Sequence, residues 1–192
     1  MGGSSRRPLR RYRFRRMDDV TRLALAAADG DRVALNAFVR HTQAEVWRFV
    51  AGLTDRQRAD DITQEVYLRA LRSLPGFRAD ASARTWLLGI ARRTVVDSLR
   101  AGGRRQRLED AVATIARTQR ATPDPGPNVD TRLLLAGLEP DRREAFVLTQ
   151  VLGLSYAEAA EVCDCPVGTI RSRVARARGD LIAALDASSR EA

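Results

Sequence analysis

The stretch LSYAEAAEVCDCPVGTIRSRVARAR, residues 154–178, decides the fold. Ser155 followed three residues later by Glu158 forms a capping box, which predicts the start of a helix. The short run 163–166 then predicts a turn, and Pro166 suits the first position of a second helix. The first helix offers a small-residue surface at Ala157, Ala160 and Val162. Two helices joined by so short a turn, with small residues at their contact, predict a helix-turn-helix.

The second helix of this motif is amphipathic. At 100° per residue its apolar side chains form one stripe, made of Val167, Ile170, Val174 and Ala177. Residues 165–179 contain four arginines and no acid, so the outward face is positively charged. Arginine can bind a guanine edge bidentately in the major groove, and flanking arginines can hold phosphates. The predicted contacts to duplex DNA are Gly168, Thr169, Arg171, Ser172, Arg173 and Arg176.

The rest of the chain contains two helical zones and a linker. Helices are predicted at 21–30, 31–53, 55–74 and 83–100, with Asp31 as an N-cap and stops at Asp29-Gly30, Pro75-Gly76 and Gly102-Gly103. Residues 102–130 are predicted to form a linker, because three prolines fall within 123–127. Residues 108–116 offer a short helix inside it, and residues 131–187 are helical again. No segment alternates like a strand, so the fold class is all-α.

The net charge of +9 comes mostly from the N-terminus. Residues 1–16 carry seven arginines and no acid, which leaves +2 for the other 176 residues. Two interpretations of this leader stay open: Met17 is the true initiator, or the leader is a disordered basic arm that touches phosphates. Total charge is therefore a weak indication of nucleic-acid binding by the folded part.

The composition argues against catalysis and against a bound cofactor. The sequence has one histidine, His41, and it has no Gly-rich phosphate loop, metal-ligand cluster or Ser-His-Asp order. Cys163 and Cys165 supply at most two metal ligands. No apolar run approaches the roughly 20 residues of a membrane span. We expect a cytoplasmic protein that is not an enzyme, holds no metal and needs no cofactor.

Four segments resemble the extracytoplasmic-function (ECF) sigma factors. LGLSYAEAAEVCDCPVGTIRSRVARAR (152–178) resembles region 4.2, and LEPDRREAFVLTQVLG (138–153) resembles the part of region 4 before it. ADDITQEVYLRAL (59–71) resembles region 2.2, and FRADASARTWLLGIARRTVVDSLR (77–100) resembles regions 2.3 and 2.4.

The resemblance implies two small helical domains joined by a flexible linker. Region 2 would span 18–101 and region 4, with the helix-turn-helix, 131–187; the leader is 1–17 and the linker 102–130. The resemblance also implies that the two cysteines are small buried residues of the turn.

The resemblance implies a transcription initiation factor that binds RNA polymerase core and directs it to −10 and −35 promoter elements. The polymerase itself supplies the chemistry. Region 2.2 of the family docks on the coiled coil of the largest catalytic subunit, and the matching residues are Asp61, Gln64 and Glu65. Asp60, Asp61 and Glu65 make an acidic turn, while Ile62, Val66 and Leu68 are expected inside.

At the −10 element the family melts the duplex and holds a flipped base of the single strand. Unstacking must be offset by stacking surfaces and positive charge. The matching residues are Phe77, Arg78, Asp80, Ser82, Trp86, Arg92 and Arg93. Arg100 is expected to follow the same strand. Plain core packing remains an alternative for Phe77 and Trp86.

The expected partners are polymerase core, duplex DNA at −35 and single-stranded DNA at −10. Many relatives are held inactive by an anti-sigma factor. Nothing in this sequence indicates whether the chain has such a partner. The main alternative is a stand-alone helix-turn-helix regulator, and an adaptor that binds only protein is a second. A regulator has no need of DDITQE (60–65) followed by an aromatic, basic surface.

Overall fold

Helices make up the described part of the chain, which in the computed structural model is residues 17–112 and 129–191, with side chains at 17–102 and 133–187. The helices are α1 (Asp19–Ala28), α2 (Arg32–Leu53), α3 (Arg56–Ser73), α4 (Ala83–Val112), α5 (Val129–Ala136), α6 (Pro140–Phe146), α7 (Tyr156–Cys163) and α8 (Val167–Glu191). A 3-10 turn follows α3 at Leu74–Gly76, and a π-helical turn follows α6 at Val147–Val151. These ranges contain no strand, and the predicted all-α class is confirmed.

Aspartate side chains begin the first three helices. Asp18, Asp31 and Asp55 each accept hydrogen bonds from main-chain N–H groups of the first turn, at 2.8–3.0 Å. These bonds satisfy donors that have no partner inside the helix. Beyond α1, Gly30 takes a φ of +98°, which glycine adopts without strain. The predicted cap at Asp31 and the stop at Asp29-Gly30 are both confirmed.

The predicted end of α4 at Gly102 and Gly103 is wrong, because α4 continues to Val112. A glycine inside a helix costs about 1 kcal/mol relative to alanine, which weakens a helix without ending it. Gly102 does not adopt a positive φ, and residues 104–112 are mostly good helix formers. The predicted short helix therefore lies partly within α4, and the remainder of the predicted linker, residues 113–128, falls outside the described ranges.

Apolar side chains from α1 through α8 form one continuous core. Its largest fully buried members include Phe38, Phe49, Leu87, Leu88, Leu148 and Ile170. Three residues expected inside are exposed, namely Leu68, Ala157 and Val167, and Leu99 near the predicted end of the fourth helix is exposed as well.

The exposed residues have local reasons for their position. Leu68 is 200° around α3 from the buried Val66, so the two side chains point to opposite sides. Leu99 lies past Val95, the last buried residue of α4 among the side chains described. Ala157 and Val167 both lie in the first turn of a helix, before its first buried residue.

The helix-turn-helix is formed by α7 and α8. Ser155 and Glu158 make the reciprocal capping box: the Glu158 N–H donates to Ser155 Oγ at 3.2 Å, and the Ser155 N–H donates to Glu158 Oε2 at 2.8 Å. Asp164 ends α7 in the left-handed conformation, with φ at 51°. Pro166 accepts from the Thr169 N–H at 2.9 Å, so α8 begins one residue after the predicted position.

Candidate nucleic-acid interface

α8 turns one polar face to solvent and one apolar face to the core. Ile170, Val174 and Ala177 are buried where α8 packs on α6 and α7. Of the predicted duplex contacts, Gly168, Arg171, Ser172 and Arg176 are exposed, and Thr169 and Arg173 are half-buried. Within the described residues neither Arg171 nor Arg176 has an ion-pair partner, so both guanidinium groups are available to a ligand.

The other two arginines of this face are bound within the protein. Arg173 pairs with the carboxylate of Asp141 in α6, and its side chain is 22% exposed. Arg178 donates a hydrogen bond to Gln150 Oε1 at 2.7 Å. Both contacts fix α8 on the preceding helical segment. Sequence reasoning missed Asp141, since the residue is 32 positions away from its partner.

The loop 77–82 before α4 contributes one ring of an aromatic pair, and α4 contributes the other. Phe77 is buried and packs on Trp86, with ring centroids 5.0 Å apart and planes at 47°. Trp86 is half-buried, so part of its indole ring can be reached from outside. Ser82 Oγ accepts from the Thr85 N–H at 3.1 Å and so stabilises the start of α4. The exposed side chains of the loop include Arg78 and Asp80.

A basic cleft of about 530 Å³ lies between α3 and α4. Its lining is Arg69, Ser73, Ile90, Arg92, Arg93, Val96, Asp97 and Arg100. Arg69 is held by Glu65 at 2.7 Å and by Asp97 at 2.8 Å. Arg93 and Arg100 are exposed and have no ion-pair partner in the described part of the chain. Proteins that bind single-stranded nucleic acid combine a positively charged groove with aromatic rings on which bases stack.

The predicted polymerase face of α3 is acidic and partly apolar. Asp61 and Gln64 are exposed, and Glu65 is half-buried in its pair with Arg69. Leu68 and Leu71 extend this surface along α3, 49% and 38% exposed. Helical spacing of i, i+3 and i+7 places Leu68 directly below Asp61 and Gln64. Sequence reasoning missed these two leucines as surface residues, although their angle from Val66 on a helical wheel could have identified them.

One ion pair and one side-chain hydrogen bond to the main chain join α1–α4 to α5–α8. Arg92 Nε donates to Glu144 Oε1 at 2.7 Å, and Glu144 is only 8% exposed. Burial raises the pKa of the Glu144 carboxyl, and the charge of Arg92 opposes that shift. Arg84 Nε donates to Glu45 Oε1 at 2.8 Å, and the same guanidinium bonds the main-chain oxygen of Leu152.

The junction also contains a close apolar contact and a cavity. A Cβ atom built on Gly52 would lie 3.0 Å from both γ-methyl groups of Val147. A cavity of about 550 Å³ lies beside the loop and Trp86. Its wall on the α4 side includes Arg92 and Arg93, and its wall on the α7 side is Glu161, Val162 and Asp164. Nothing in the sequence pattern predicted this junction.

The two cysteines lie at the turn of the helix-turn-helix. Cys163 is buried, and burial raises the pKa of its thiol, so the reactive thiolate is disfavoured. Cys165 is half-buried, with its sulfur 3.9 Å from Arg173 Nη1. The described residues contain no cluster of three or more His, Cys, Asp or Glu side chains fit to hold a metal. They also include no helix long and apolar enough to cross a membrane.

Comparison with known proteins identifies both halves of the chain. Residues 38–105 match the family described as Sigma-70 region 2, and residues 129–181 match Sigma-70, region 4. The ECF RNA polymerase sigma factor SigC of Mycobacterium tuberculosis is 52% identical over 173 residues, covering 85% of this chain and 90% of that protein. The ECF RNA polymerase sigma-E factor of Escherichia coli K12 is 35% identical, covering 78% and 85%.

Solved structures agree with this result. The sigma factor RpoE from Bartonella quintana, in complex with the anti-sigma factor NepR, has a TM-score of 0.68 at 28% identity and covers 79% of this chain and 96% of its own. CnrH, in complex with the cytosolic domain of CnrY, has a TM-score of 0.65 at 30% identity and covers 88% and 99%. From its two sigma-70 regions and its identity to curated relatives, the chain belongs to the ECF sigma factors of the sigma-70 family.

Proposed function

We propose that this sigma factor places RNA polymerase at promoters through three separate surfaces. Membership of the family assigns the chain to transcription initiation with RNA polymerase, and sigma factors are non-enzymatic. The finer proposal is that α3 binds polymerase core, that Trp86 and the basic cleft between α3 and α4 capture the melted −10 strand, and that α8 binds the −35 duplex. From here, region 2 denotes α1–α4 and region 4 denotes α5–α8.

The −35 proposal rests on α8. Its buried stripe holds the helix in place, while the exposed Arg171 and Arg176 flank the small Ser172 and point away from the core. An exposed helix with short side chains between guanidinium groups fits the major groove. Gly168 and Thr169 at its start would let the backbone approach the base edges. Arg173 would fix the orientation of α8 through its ion pair with Asp141, and the exposed part of its guanidinium group would lie near a DNA phosphate.

The −10 proposal rests on the aromatic pair and the basic cleft. Phe77 lies beneath Trp86 and would support that ring, which is the one a flipped base can stack on. Arg78, Asp80 and Ser82 would border the flipped base, since they belong to the loop beside that ring. Arg92, Arg93 and Arg100 would follow the phosphates, since all three line the cleft.

The polymerase proposal rests on one face of α3. Asp61, Gln64 and Glu65 would meet basic residues of the core coiled coil, and Leu68 with Leu71 would add apolar contact. A protein interface combines such an apolar centre with a polar rim. The sigma factor RpoE, solved in complex with the anti-sigma factor NepR, supports a further expectation, that a protein of that class binds this chain too.

The single observation that carries this proposal is that one chain combines an α8 with an exposed arginine face and a sigma-70 region 2. The test is reconstitution: purified chain, sigma-free core and genomic DNA, with the RNA 5′ ends sequenced. We expect new 5′ ends that share upstream motifs and that need both proteins. A stand-alone regulator would instead bind duplex DNA without core and give no new 5′ ends.

A further inference from the structure

The buried contact that holds α8 in place is a narrow apolar stripe. Ile170, Val174 and Ala177 are buried, and at 100° per residue they lie within about 60° of one another around the helix. Apolar contact is non-directional, so it holds the helix down more firmly than it fixes rotation about the helix axis. A rotation of about 20° moves the surface of a helix by about 2 Å, which exceeds the spread of hydrogen-bond lengths. The direction of Arg176 therefore depends on what fixes that rotation.

Two ion pairs from α6 lie along one edge of α8. Asp141 pairs with Arg173, and Arg142 Nη1 donates to Asp180 Oδ2 at 2.7 Å. Because Arg173 and Asp180 are seven residues apart, they lie within about 20° of each other around α8 and about 10 Å apart along it. Arg176 lies between them in sequence and about 40–60° further around the helix. The two pairs therefore hold α8 at two points beside an arginine that is proposed to contact a base.

The charges of these four side chains favour one alignment of the two helices. α6 contributes an acid followed by a base, and α8 contributes a base followed by an acid. A slide of α8 that brought Asp180 towards Asp141 would place like charges together, which is unfavourable. α6 is itself fixed, because Ala145 is fully buried and Glu139 Oε2 accepts from the Arg142 N–H at 3.2 Å. It can therefore serve as a rigid reference for α8.

The Arg142–Asp180 pair is suited to positioning more than to stability. Its two side chains are 31% and 41% exposed, and partly exposed ion pairs add little to the free energy of folding. Side chains that bind a ligand need supporting contacts that hold them within about 10–20° of the productive geometry. On the other edge of α8, Arg178 is exposed and donates one hydrogen bond to the uncharged Gln150, so that contact restrains the helix less.

We propose that Asp141 and Arg142 of α6 set the rotation of α8, and that they thereby determine which bases of the −35 duplex Arg171 and Arg176 can contact. This inference rests on the proposed function of α8. Asp141, Arg142 and Asp180 act as positioning residues and do not touch DNA themselves. Their effect is on sequence selectivity, because contacts to base edges depend on the rotation of α8, whereas contacts to phosphates carry no sequence information.

Reversal of the Arg142–Asp180 pair tests this proposal without altering a side chain proposed to bind DNA. Arg142→Asp and Asp180→Arg each place like charges together, whereas the double variant R142D/D180R restores an ion pair at unchanged net charge. Each variant is assembled with polymerase core. Affinity is then measured for the promoter mapped by reconstitution and for the same fragment with its −35 element scrambled. The ratio of these affinities is the readout, since a change in net charge affects both affinities alike.

We expect each single variant to lose about 10-fold in this ratio, the value of one bidentate base contact, and the double variant to match wild type within about twofold. Arg40→Asp, at an exposed site of α2, makes the same charge change as Arg142→Asp and should keep the wild-type ratio. Circular dichroism and affinity for polymerase core show that each variant is folded. Where a charge reversal prevents folding, Arg142→Gln and Asp180→Asn remove the attraction without repulsion, and a smaller loss in the same direction is expected.

Wild-type ratios in the folded single variants would overturn the positioning role. A loss that the double variant does not restore would overturn it too, because the two residues would then act other than through their ion pair. Failure of the proposed function of α8 looks different. In that case the wild-type assembly itself would bind the mapped promoter and the scrambled fragment equally well.

Discussion

At the residue scale, the arginines of the two surfaces proposed to bind DNA differ in the ion pairs that they already form. Arg171 and Arg176 have no ion-pair partner among the described residues, whereas Arg173 and Arg92 are paired with Asp141 and Glu144. A free guanidinium can form a bidentate contact with a base without first losing another bond. Sequence analysis predicted all four arginines as DNA contacts and could not separate the paired ones from the unpaired ones, because ion pairs between distant segments leave no local pattern.

Arg176→Ala is expected to weaken −35 duplex binding by about 10-fold, the loss of one bidentate base contact. Affinity is measured by fluorescence anisotropy on the mapped promoter, with affinity for core measured in parallel and expected to stay unchanged. Arg178→Ala is the matched control, since Arg178 is bound to Gln150. Lost core affinity in Arg176→Ala would contradict the assignment of α8 to DNA.

At the element scale, the starts of helices were predicted from the sequence more accurately than their ends. Asp31 and the pair Ser155 and Glu158 cap their helices as predicted, because a cap is a local arrangement within four residues. The predicted helix end at Gly102 was wrong. A glycine typically ends a helix where its backbone adopts the left-handed conformation, and that depends on the chain that follows it.

Ser155→Ala is expected to lower the free energy of unfolding by about 1 kcal/mol, because the Glu158 N–H loses its acceptor and the capping box is broken. Urea unfolding followed by circular dichroism measures this change. Gln57→Ala, at an exposed site in α3, should change stability by less than about 0.5 kcal/mol. Equal stability of Ser155→Ala and wild type would show that the capping box adds little to the start of α7.

At the scale of the whole molecule, the two regions pack into one core, which the sequence did not predict. Periodicity identifies the buried face of each helix, and it does not say which helix covers that face. Gly52 and Val147 lie 95 positions apart, and their contact depends on the path of every element between them. The candidate surfaces could be predicted because sequence motifs mark them. The packing of region 4 against region 2 could not be predicted, because no motif marks it.

We expect this chain to open promoter DNA only together with polymerase, and permanganate footprinting of the mapped promoter tests this role most directly. Unpaired thymines react, so melting is read base by base. We expect reactive non-template thymines at the −10 element when chain and core are both present, and none with either alone. Trp86→Ala should lose this reactivity and keep the −35 footprint. Protection of duplex DNA by the chain alone, with no reactive thymines after core is added, would contradict a role in promoter opening.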